Sequence, residues 1–196
     1  MIDITRHNEL IVRQIVEGLE AITGFETQNR YEVLTPEGEQ VMYAYEESGG
    51  FSRFFLKSHR PLDLHVVDTN GSPILTASRE FFWFLSHLNM SDESGRHVGA
   101  LNRQFGFKRR LTLTDRDDQP LGEITGSLFR PYTFFVNNLQ GEEIGRVTKQ
   151  WSGFGREVFT DADTFQVLFD DPDMSEEFRL LLLTAAFAID LDFFEK

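Results

Sequence analysis

The segment that most constrains the fold is an apolar run near the C-terminus, within EEFRLLLLTAAFAIDLDFFEK. Residues 180–189 carry no charge, and consecutive leucines in this run would point in every direction around a helix axis. A helix without a polar face needs apolar surroundings on all sides, so it lies either in a bilayer or inside a protein. The surroundings of this segment therefore decide between two kinds of protein, one anchored in a membrane and one whose fold is built around a buried helix.

The length and the flanks of the apolar run favour the buried helix. A spanning helix needs about 20 mostly apolar residues, whereas this run is about half as long. Arg179 precedes it and Asp190 follows it, and charges at such depth in a bilayer are costly. Asp173 as an N-cap, with Glu176 three residues later, is typical of the start of a soluble helix. The sequence predicts a central helix over residues 174–190, enclosed by the rest of the chain.

The middle of the chain predicts the wall that encloses this helix. Four stretches combine β-branched and aromatic residues in period two with a central turn: YEVLTPEGEQVMYAY, LDLHVVDTNGSPILTAS, RLTLTDRDDQPLGEITGS and YTFFVNNLQGEEIGRVTK. This is the signature of β-hairpins, and EVFTDADTFQVLF adds at least one more strand pair. A sheet that surrounds a helix must curl and close, which also removes its exposed edges. We predict a closed, mostly antiparallel barrel over residues 30–170.

The N-terminal segment NELIVRQIVEGLEAITGFE is predicted to form a second helix, over residues 8–23. Its apolar residues recur at helical spacing, Asn8 can cap its start and Gly24 can end it. A membrane-surface helix is the alternative, but such helices favour cations that are scarce here. Packing against the outside of the barrel is favoured. The expected fold class is mainly β with two helices (α+β), in one domain over residues 1–196.

Composition limits the partners and the compartment. The chain has a net charge of −13 and no cysteine. Such an acidic protein is repelled by nucleic acid and by anionic membranes, except through a local basic patch. The lack of cysteine excludes disulfides, thiolate metal sites and cysteine lipidation. Because the start has no secretory signal pattern, we expect a cytoplasmic protein that does not bind nucleic acid.

One stretch, GALNRQFGFKRRLTL, is basic, and no acidic residue occurs from Ser94 to Thr114. Aromatic side chains that dip into lipid headgroups beside cations that meet phosphates can form a peripheral membrane contact. The candidate lipid-headgroup patch consists of Arg103, Phe105, Phe107, Lys108, Arg109 and Arg110. The alternative is a hairpin whose phenylalanines lie in the core and whose cations pair with the acidic half of the chain.

Three stretches carry a resemblance to a known family. EAITGFETQNRYEVLTPEGEQVMYAYEES, KQWSGFGREVFTDADTFQVLF and the ending AIDLDFFEK resemble the phospholipid scramblase family, in order, from about residue 8 onward. The resemblance implies the tubby-like fold, a closed antiparallel barrel of about twelve strands around a buried hydrophobic C-terminal helix. The chain departs from animal members because it lacks their proline-rich N-terminal extension and their cysteine clusters. It resembles a short, bacterial-type, cysteine-free member.

The segment that the resemblance implies for calcium is DADTFQVLFDDPD. Its five carboxylates are Asp161, Asp163, Asp170, Asp171 and Asp173. Ca²⁺ takes about six to eight oxygen ligands, and the residues here do not follow the spacing of an EF-hand loop. The alternating residues in the middle predict a strand with carboxylates at its two ends. Solvated acids around a turn and a helix cap are the favoured interpretation, and a weak Ca²⁺ site is the alternative.

The resemblance also implies a function. We expect a protein that binds anionic phospholipids peripherally, at the inner face of the plasma membrane, with Ca²⁺-dependent scrambling of lipid between leaflets as the family's activity. The alternative is a soluble tubby-like module that binds a protein partner or an apolar ligand without moving lipid. No metal spacing, phosphate loop or nucleophile motif occurs in the sequence, so we predict that the chain is not an enzyme.

Overall fold

The computed structural model describes residues 3–15, 29–47, 61–80, 85–106, 109–150 and 163–194. These residues form twelve β-strands, a short 3₁₀ helix (Ile4–Arg6) and one α-helix, α1 (Glu176–Ile189), which continues as a π-helical segment, Asp190–Phe194. The strands β1 to β12 are, in chain order, Glu9–Gln14, Arg30–Leu34, Gln40–Glu47, Leu62–Asp68, Pro73–Arg79, His87–Asp92, His97–Arg103, Arg110–Thr114, Pro120–Gly126, Thr133–Asn138, Glu143–Gln150 and Thr164–Phe169.

The twelve strands form one closed antiparallel barrel. Each strand pairs with its neighbours in the chain, and β1 closes the ring by pairing with both β2 and β12. Side chains alternate between the interior and the outside along each strand. In β12, for example, Phe165, Val167 and Phe169 are buried, whereas the residues between them are partly exposed. The predicted closed barrel of about twelve strands is confirmed.

The predicted N-terminal helix over residues 8–23 is wrong for the part that the structure describes. Glu9–Gln14 is strand β1, in which Leu10 and Val12 are fully buried. Its β-branched residues favour a strand over a helix. The hydrogen bonds to β2 and β12 outweigh the weak preference for a helix that the spacing of the apolar residues indicates. The barrel therefore begins at β1 and not at residue 30. Residues 16–23 lie outside the described residues.

Helix α1 fills the barrel, as the sequence predicts. Every residue in 181–189 is at most 5% exposed. The N-cap is Ser175, whose Oγ accepts a hydrogen bond from the amide of Phe178 at 3.2 Å. The predicted cap Asp173 is wrong, because its amide donates to the Asp171 carboxylate at 2.9 Å in the preceding turn. No helix in the described part of the chain is long and apolar enough to span a bilayer.

Two wall glycines allow α1 to pack closely against the strands. A Cβ on Gly99 of β7 would clash with the carbonyl oxygen of Thr114 and would lie 3.1 Å from Leu181. A Cβ on Gly145 of β11 would lie 2.6 Å from a backbone oxygen of β12 and 3.2 Å from Leu182. Leucine side chains of the helix thus occupy the space that a wall side chain would need.

Five tight turns of one design join strands at one end of the barrel: residues 35–39, 68–72, 92–96, 115–119 and 138–142. In each turn, a side-chain oxygen of the first residue accepts a hydrogen bond from the amide of the fifth. The fourth residue has a positive φ, which suits glycine. Four turns have glycine there, and the remaining one has Asp118 at φ 57°. This repeated design is the physical basis of the recurring hairpin pattern in the sequence.

The two ends of the barrel therefore differ. The tight-turn end carries the five turns and the start of α1, and its turns contain nine carboxylates and two arginines. The opposite end, the long-loop end, carries the connections that follow β1, β3, β5, β7, β9 and β11, together with the end of α1. Parts of these connections lie outside the described residues.

Candidate functional site

Exposed apolar side chains are concentrated at the long-loop end. Of the six large apolar side chains that are exposed in the described part of the chain, five lie there and form the apolar rim: Leu85, Phe105, Leu128, Phe129 and Tyr132. Phe105 is 88% exposed and Phe129 is 97% exposed. The sixth, Leu139, lies in a turn at the opposite end. Exposed apolar groups that share one surface mark an interaction site.

Two neighbouring connections carry most of the apolar rim. Phe105 lies between β7 and β8, and residues 128–132 lie between β9 and β10, while β8 pairs with both β7 and β9. Arg109 joins the two connections. Its carbonyl oxygen accepts a hydrogen bond from the amide of Gly126 at 2.7 Å, and its guanidinium donates to the carbonyl oxygen of Pro131 at 3.1 Å. These two hydrogen bonds of Arg109 thus hold both parts of the rim side by side.

Arginine side chains accompany the rim. The guanidinium of Arg103 lies 4.9 Å from the ring centre of Phe193, and that of Arg109 lies 5.5 Å from Phe193 and 5.3 Å from Phe194. Both rings belong to the π-helical segment, which provides an aromatic support. Within the described residues, Arg103, Arg109 and Arg130 form no ion pair. Contact with a ring leaves the positive charge of an arginine available to an external anion.

The structure brings together only part of the predicted headgroup patch. Arg103, Phe105 and Arg109 lie together at the long-loop end, and Phe105 is not a core residue. Arg110 lies on β8, where its Nε is 3.5 Å from the Glu123 carboxylate of β9. It therefore pairs along the barrel wall. The other two members of the predicted patch, Phe107 and Lys108, lie outside the described residues.

The prediction missed the connection between β9 and β10, which supplies half of the site. Its sequence, GSLFRPYT, places Leu128 and Phe129 between Gly126 and Pro131. Bulky apolar residues between a glycine and a proline belong to a turn and not to a strand, so this pattern was the available signal. Arg130, the next residue, adds the third cation of the site.

A buried polar network lies where α1 ends. Asp190 is 4% exposed and accepts a hydrogen bond from the Tyr31 hydroxyl at 2.9 Å. The ammonium group of Lys149 lies 2.6 Å from Asp163 and 3.9 Å from Asp190. Burial, and then the negative charge of Asp163, raise the pKa of Asp190 to about 7, against the smaller effects of Lys149 and Tyr31. Asp190 therefore carries a proton at mildly acidic pH.

A buried ion pair fixes the π-helical segment. Arg79, at the end of β5, lies 2.7 Å from the carboxylate of Asp192, and the two side chains are 2% and 1% exposed. Asp192 directly precedes Phe193 and Phe194, the rings that support the rim arginines. The pair thus positions the aromatic support from inside the barrel.

The structure separates the carboxylates of the predicted calcium segment. Asp163 precedes β12 at the long-loop end and pairs with Lys149. Three others follow β12 at the tight-turn end: Asp170, Asp171 and Asp173. A strand of this length spans about 20 Å. Asp161 lies outside the described residues, and in the described part of the chain no three metal-ligating side chains cluster. The four described carboxylates therefore lie at the two ends of β12.

Comparison with known proteins gives the family. The model of the Scramblase family matches residues 2–196. The chain belongs to the scramblase family. Phospholipid scramblase 1 of Mus musculus is 32% identical over an alignment of 203 residues, which covers 96% of this chain and 62% of the mouse protein. Phospholipid scramblase family member 5 of Homo sapiens is 30% identical over 200 residues, with 95% of this chain and 73% of the human protein covered.

This scramblase-family chain thus spans 62% of the length of the mouse relative. A solved structure supports the architecture: the X-ray structure of a protein from Arabidopsis thaliana matches with a TM-score of 0.54 and 11% identity, and covers 96% of this chain and 97% of that one. At this identity the likeness shows the fold alone. The predicted tubby-like barrel around a central helix is therefore the fold of this scramblase-family chain.

Proposed function

We propose that this scramblase-family chain binds phospholipid membranes peripherally, with the long-loop end toward the lipid. The observation that carries the proposal is the placement of exposed Phe105 and Phe129 beside Arg103, Arg109 and Arg130 on one end of the barrel. Aromatic rings can enter the headgroup layer while arginines meet phosphates. The names of the relatives, which are phospholipid scramblases, support phospholipid as the partner.

The expected affinity is modest. Each arginine near an anionic surface contributes about 1 kcal/mol, and full removal of a phenylalanine from water contributes about 1.5–3 kcal/mol. Three arginines and two partly inserted rings therefore give on the order of 5 kcal/mol, which corresponds to a dissociation constant of about 0.2 mM. The cationic share is electrostatic, so binding weakens as salt rises.

The charge distribution orients the barrel. The turns of the tight-turn end contain nine carboxylates and two arginines, so an anionic membrane repels this end. The arginines of the rim lie at the other end and are attracted to the same surface. Because the Debye length at physiological salt is about 8 Å, each end responds mainly to its own charges. A protein with a net charge of −13 can therefore bind an acidic bilayer through one end.

Redistribution of phospholipid between leaflets is the finer part of the proposal, since scrambling is what the names of the relatives indicate. Helix α1 is enclosed by the wall, so we propose that the chain disturbs headgroup packing in the leaflet that it contacts, without chemical catalysis. Ca²⁺ enters this proposal only as a weakly bound ion, because no three metal-ligating side chains cluster in the described part of the chain. The inner leaflet of the plasma membrane, which is rich in acidic lipids, is the surface that fits best.

Co-sedimentation with vesicles tests the surface. We expect binding to vesicles of phosphatidylcholine with phosphatidylserine, weaker binding to phosphatidylcholine alone, and loss of binding in high salt. Phe129→Ser and Arg130→Glu remove binding, because they alter the rim without touching the core. Leu139→Ser is the matched control, since this side chain is 62% exposed at the opposite end.

Two outcomes contradict the proposal. If Leu139→Ser reduces binding as much as Phe129→Ser does, the long-loop end is not the contact surface. If the unmodified chain ignores acidic vesicles at low salt, phospholipid is not the partner. A dithionite assay of lipid flipping on the reconstituted chain then measures translocation separately, and an unchanged flip rate removes that finer part while leaving binding intact.

A further inference from the structure

A cavity of about 530 Å³ opens at the tight-turn end, where α1 enters the barrel. It lies at the opposite end from the apolar rim, and its size is within the range of small-molecule sites, about 300–1,000 Å³. Its floor is apolar and comes from three strands and the helix: Met42, Leu75, Met90 and Leu181. Each of these side chains is at most 4% exposed, so the floor belongs to the core of the barrel.

The mouth of the cavity is acidic. Five carboxylates and two arginines line it. Both arginines are already paired: Arg96 lies 2.7 Å from Asp92, and Arg116 lies 3.3 Å from Glu177. Two of the remaining carboxylates, those of Glu93 and Glu176, form no ion pair within the described part of the chain.

The fifth carboxylate, Asp68, also keeps its charge. Its Oδ1 accepts hydrogen bonds from the amides of Ser72 at 2.8 Å and Asn70 at 2.9 Å. The hydrogen bond from the Ser72 amide is the main reason why the pKa of Asp68 is lowered. The mouth therefore has a surplus of three negative charges around an apolar floor at neutral pH.

We propose that this cavity binds a monocationic amphiphile, a small molecule with an ammonium head and an apolar tail. The tail contacts the partly exposed side chains of Ile74, Val98 and Leu180, directly above the flexible thioethers of Met42 and Met90. The head lies in the mouth beside Glu93 and Glu176, the two carboxylates there that form neither an ion pair within the described residues nor the turn hydrogen bonds of Asp68. Fatty acids and acidic phospholipids are repelled by the same groups. The proposal does not rest on membrane binding by the rim, because the two sites are at opposite ends.

Methionine methyl NMR reports on the cavity directly. The chain has four methionines, and two of them, Met42 and Met90, line the cavity. Decyltrimethylammonium at about 1 mM, where it is monomeric, is expected to shift both of these methyl resonances saturably. Decanoate, which has an equally long tail and the opposite charge, is expected to shift neither. Equal shifts with decanoate, or shifts elsewhere only, would overturn the proposal.

Glu93→Gln with Glu176→Gln tests the role of charge in the mouth. A charge a few ångströms away in a solvated site contributes about 1 kcal/mol, so the double variant, which removes two charges, is expected to bind decyltrimethylammonium about thirtyfold more weakly. Glu39→Gln, an exposed change in another turn of the same end, is the control and leaves binding unchanged. An unaltered affinity in the double variant contradicts the proposal.

Two further arms complete the experiment. Dihexanoylphosphatidylcholine carries the same quaternary ammonium beside a phosphate. Shifts at Met42 and Met90 with this lipid identify a choline headgroup as a source of the cation, and shifts with decyltrimethylammonium alone identify a cationic amphiphile that carries no phosphate. Phe129→Ser keeps cavity binding even if vesicle binding is lost, so that failure of one proposal is distinguishable from failure of the other.

Discussion

Replacing Asp190 by asparagine is expected to change how the stability of the barrel depends on pH. Asp190 is 4% exposed, and burial followed by the charge of Asp163 raises its pKa to about 7, from a usual value of 3.8. Asparagine has the same shape, and its side-chain oxygen can still accept the hydrogen bond from Tyr31. The substitution therefore removes one titration and leaves the packing of α1 in place.

The sign and the size follow from proton linkage. Between the two pKa values, the folded protein keeps the proton that the unfolded chain has released, so the free energy of unfolding falls as pH rises. This contribution is fully present below the unfolded pKa and lost as pH rises through the folded pKa. One proton corresponds to a slope of at most about 1.4 kcal/mol per pH unit. Relative to the unmodified protein, Asp190→Asn is expected to gain about 2–3 kcal/mol between about pH 5 and pH 7.

Urea unfolding, followed by circular dichroism at several pH values, measures this difference. Asp117→Asn, an exposed turn position, is the control and is expected to give a difference that does not change with pH. A flat or reversed slope for Asp190→Asn would show that Asp190 is ionised in the folded protein. In that case the ammonium group of Lys149, 3.9 Å away, outweighs burial, and the reasoning is refuted.

Three further changes have expected outcomes. Asp118→Gly relieves a positive φ of 57° and is expected to stabilise the barrel by about 0.5–1 kcal/mol, seen as a higher melting temperature; a lower one contradicts this. Asp192→Asn removes the charge that faces the buried Arg79 guanidinium, and urea unfolding is expected to show a loss of about 3–5 kcal/mol; a loss below 1 kcal/mol contradicts it. In calorimetry, Ca²⁺ is expected to bind no more tightly than about 1 mM, because the described residues contain no cluster of three metal-ligating side chains; a micromolar dissociation constant contradicts this.

Local patterns were enough to predict most of the barrel. Each tight turn is determined by five consecutive residues. In DTNGS at 68–72, for example, one side-chain acceptor and one glycine define the geometry. The run at 180–189 likewise defines a buried helix by itself, because no face of it is polar. Strand β1 was not predictable in the same way. Over six residues, helical and alternating patterns overlap, and the deciding partner, β12, is far away in the sequence.

The candidate site was predictable only in part, for a related reason. The cations and the ring of Phe105 stand out in the sequence because the stretch around them has no acidic residue. Nothing local indicates that Arg110 turns along the wall toward Glu123, whereas Arg109 turns toward the rings of the π-helical segment. That difference comes from which strand neighbours β8 and from where α1 ends, and both depend on the closed ring.

The order of elements along the chain affects how such a barrel can be synthesised. Helix α1 follows all twelve strands in sequence, yet it forms the centre of the fold. A ribosome therefore releases the wall before it releases the residues that fill the wall, and β1 must wait for β12 before the ring can close. Until then the inner face of the nascent sheet is apolar and open to water, which is the kind of surface that chaperones bind. Translation that stops before residue 176 would yield an unfilled, aggregation-prone sheet rather than a smaller stable domain.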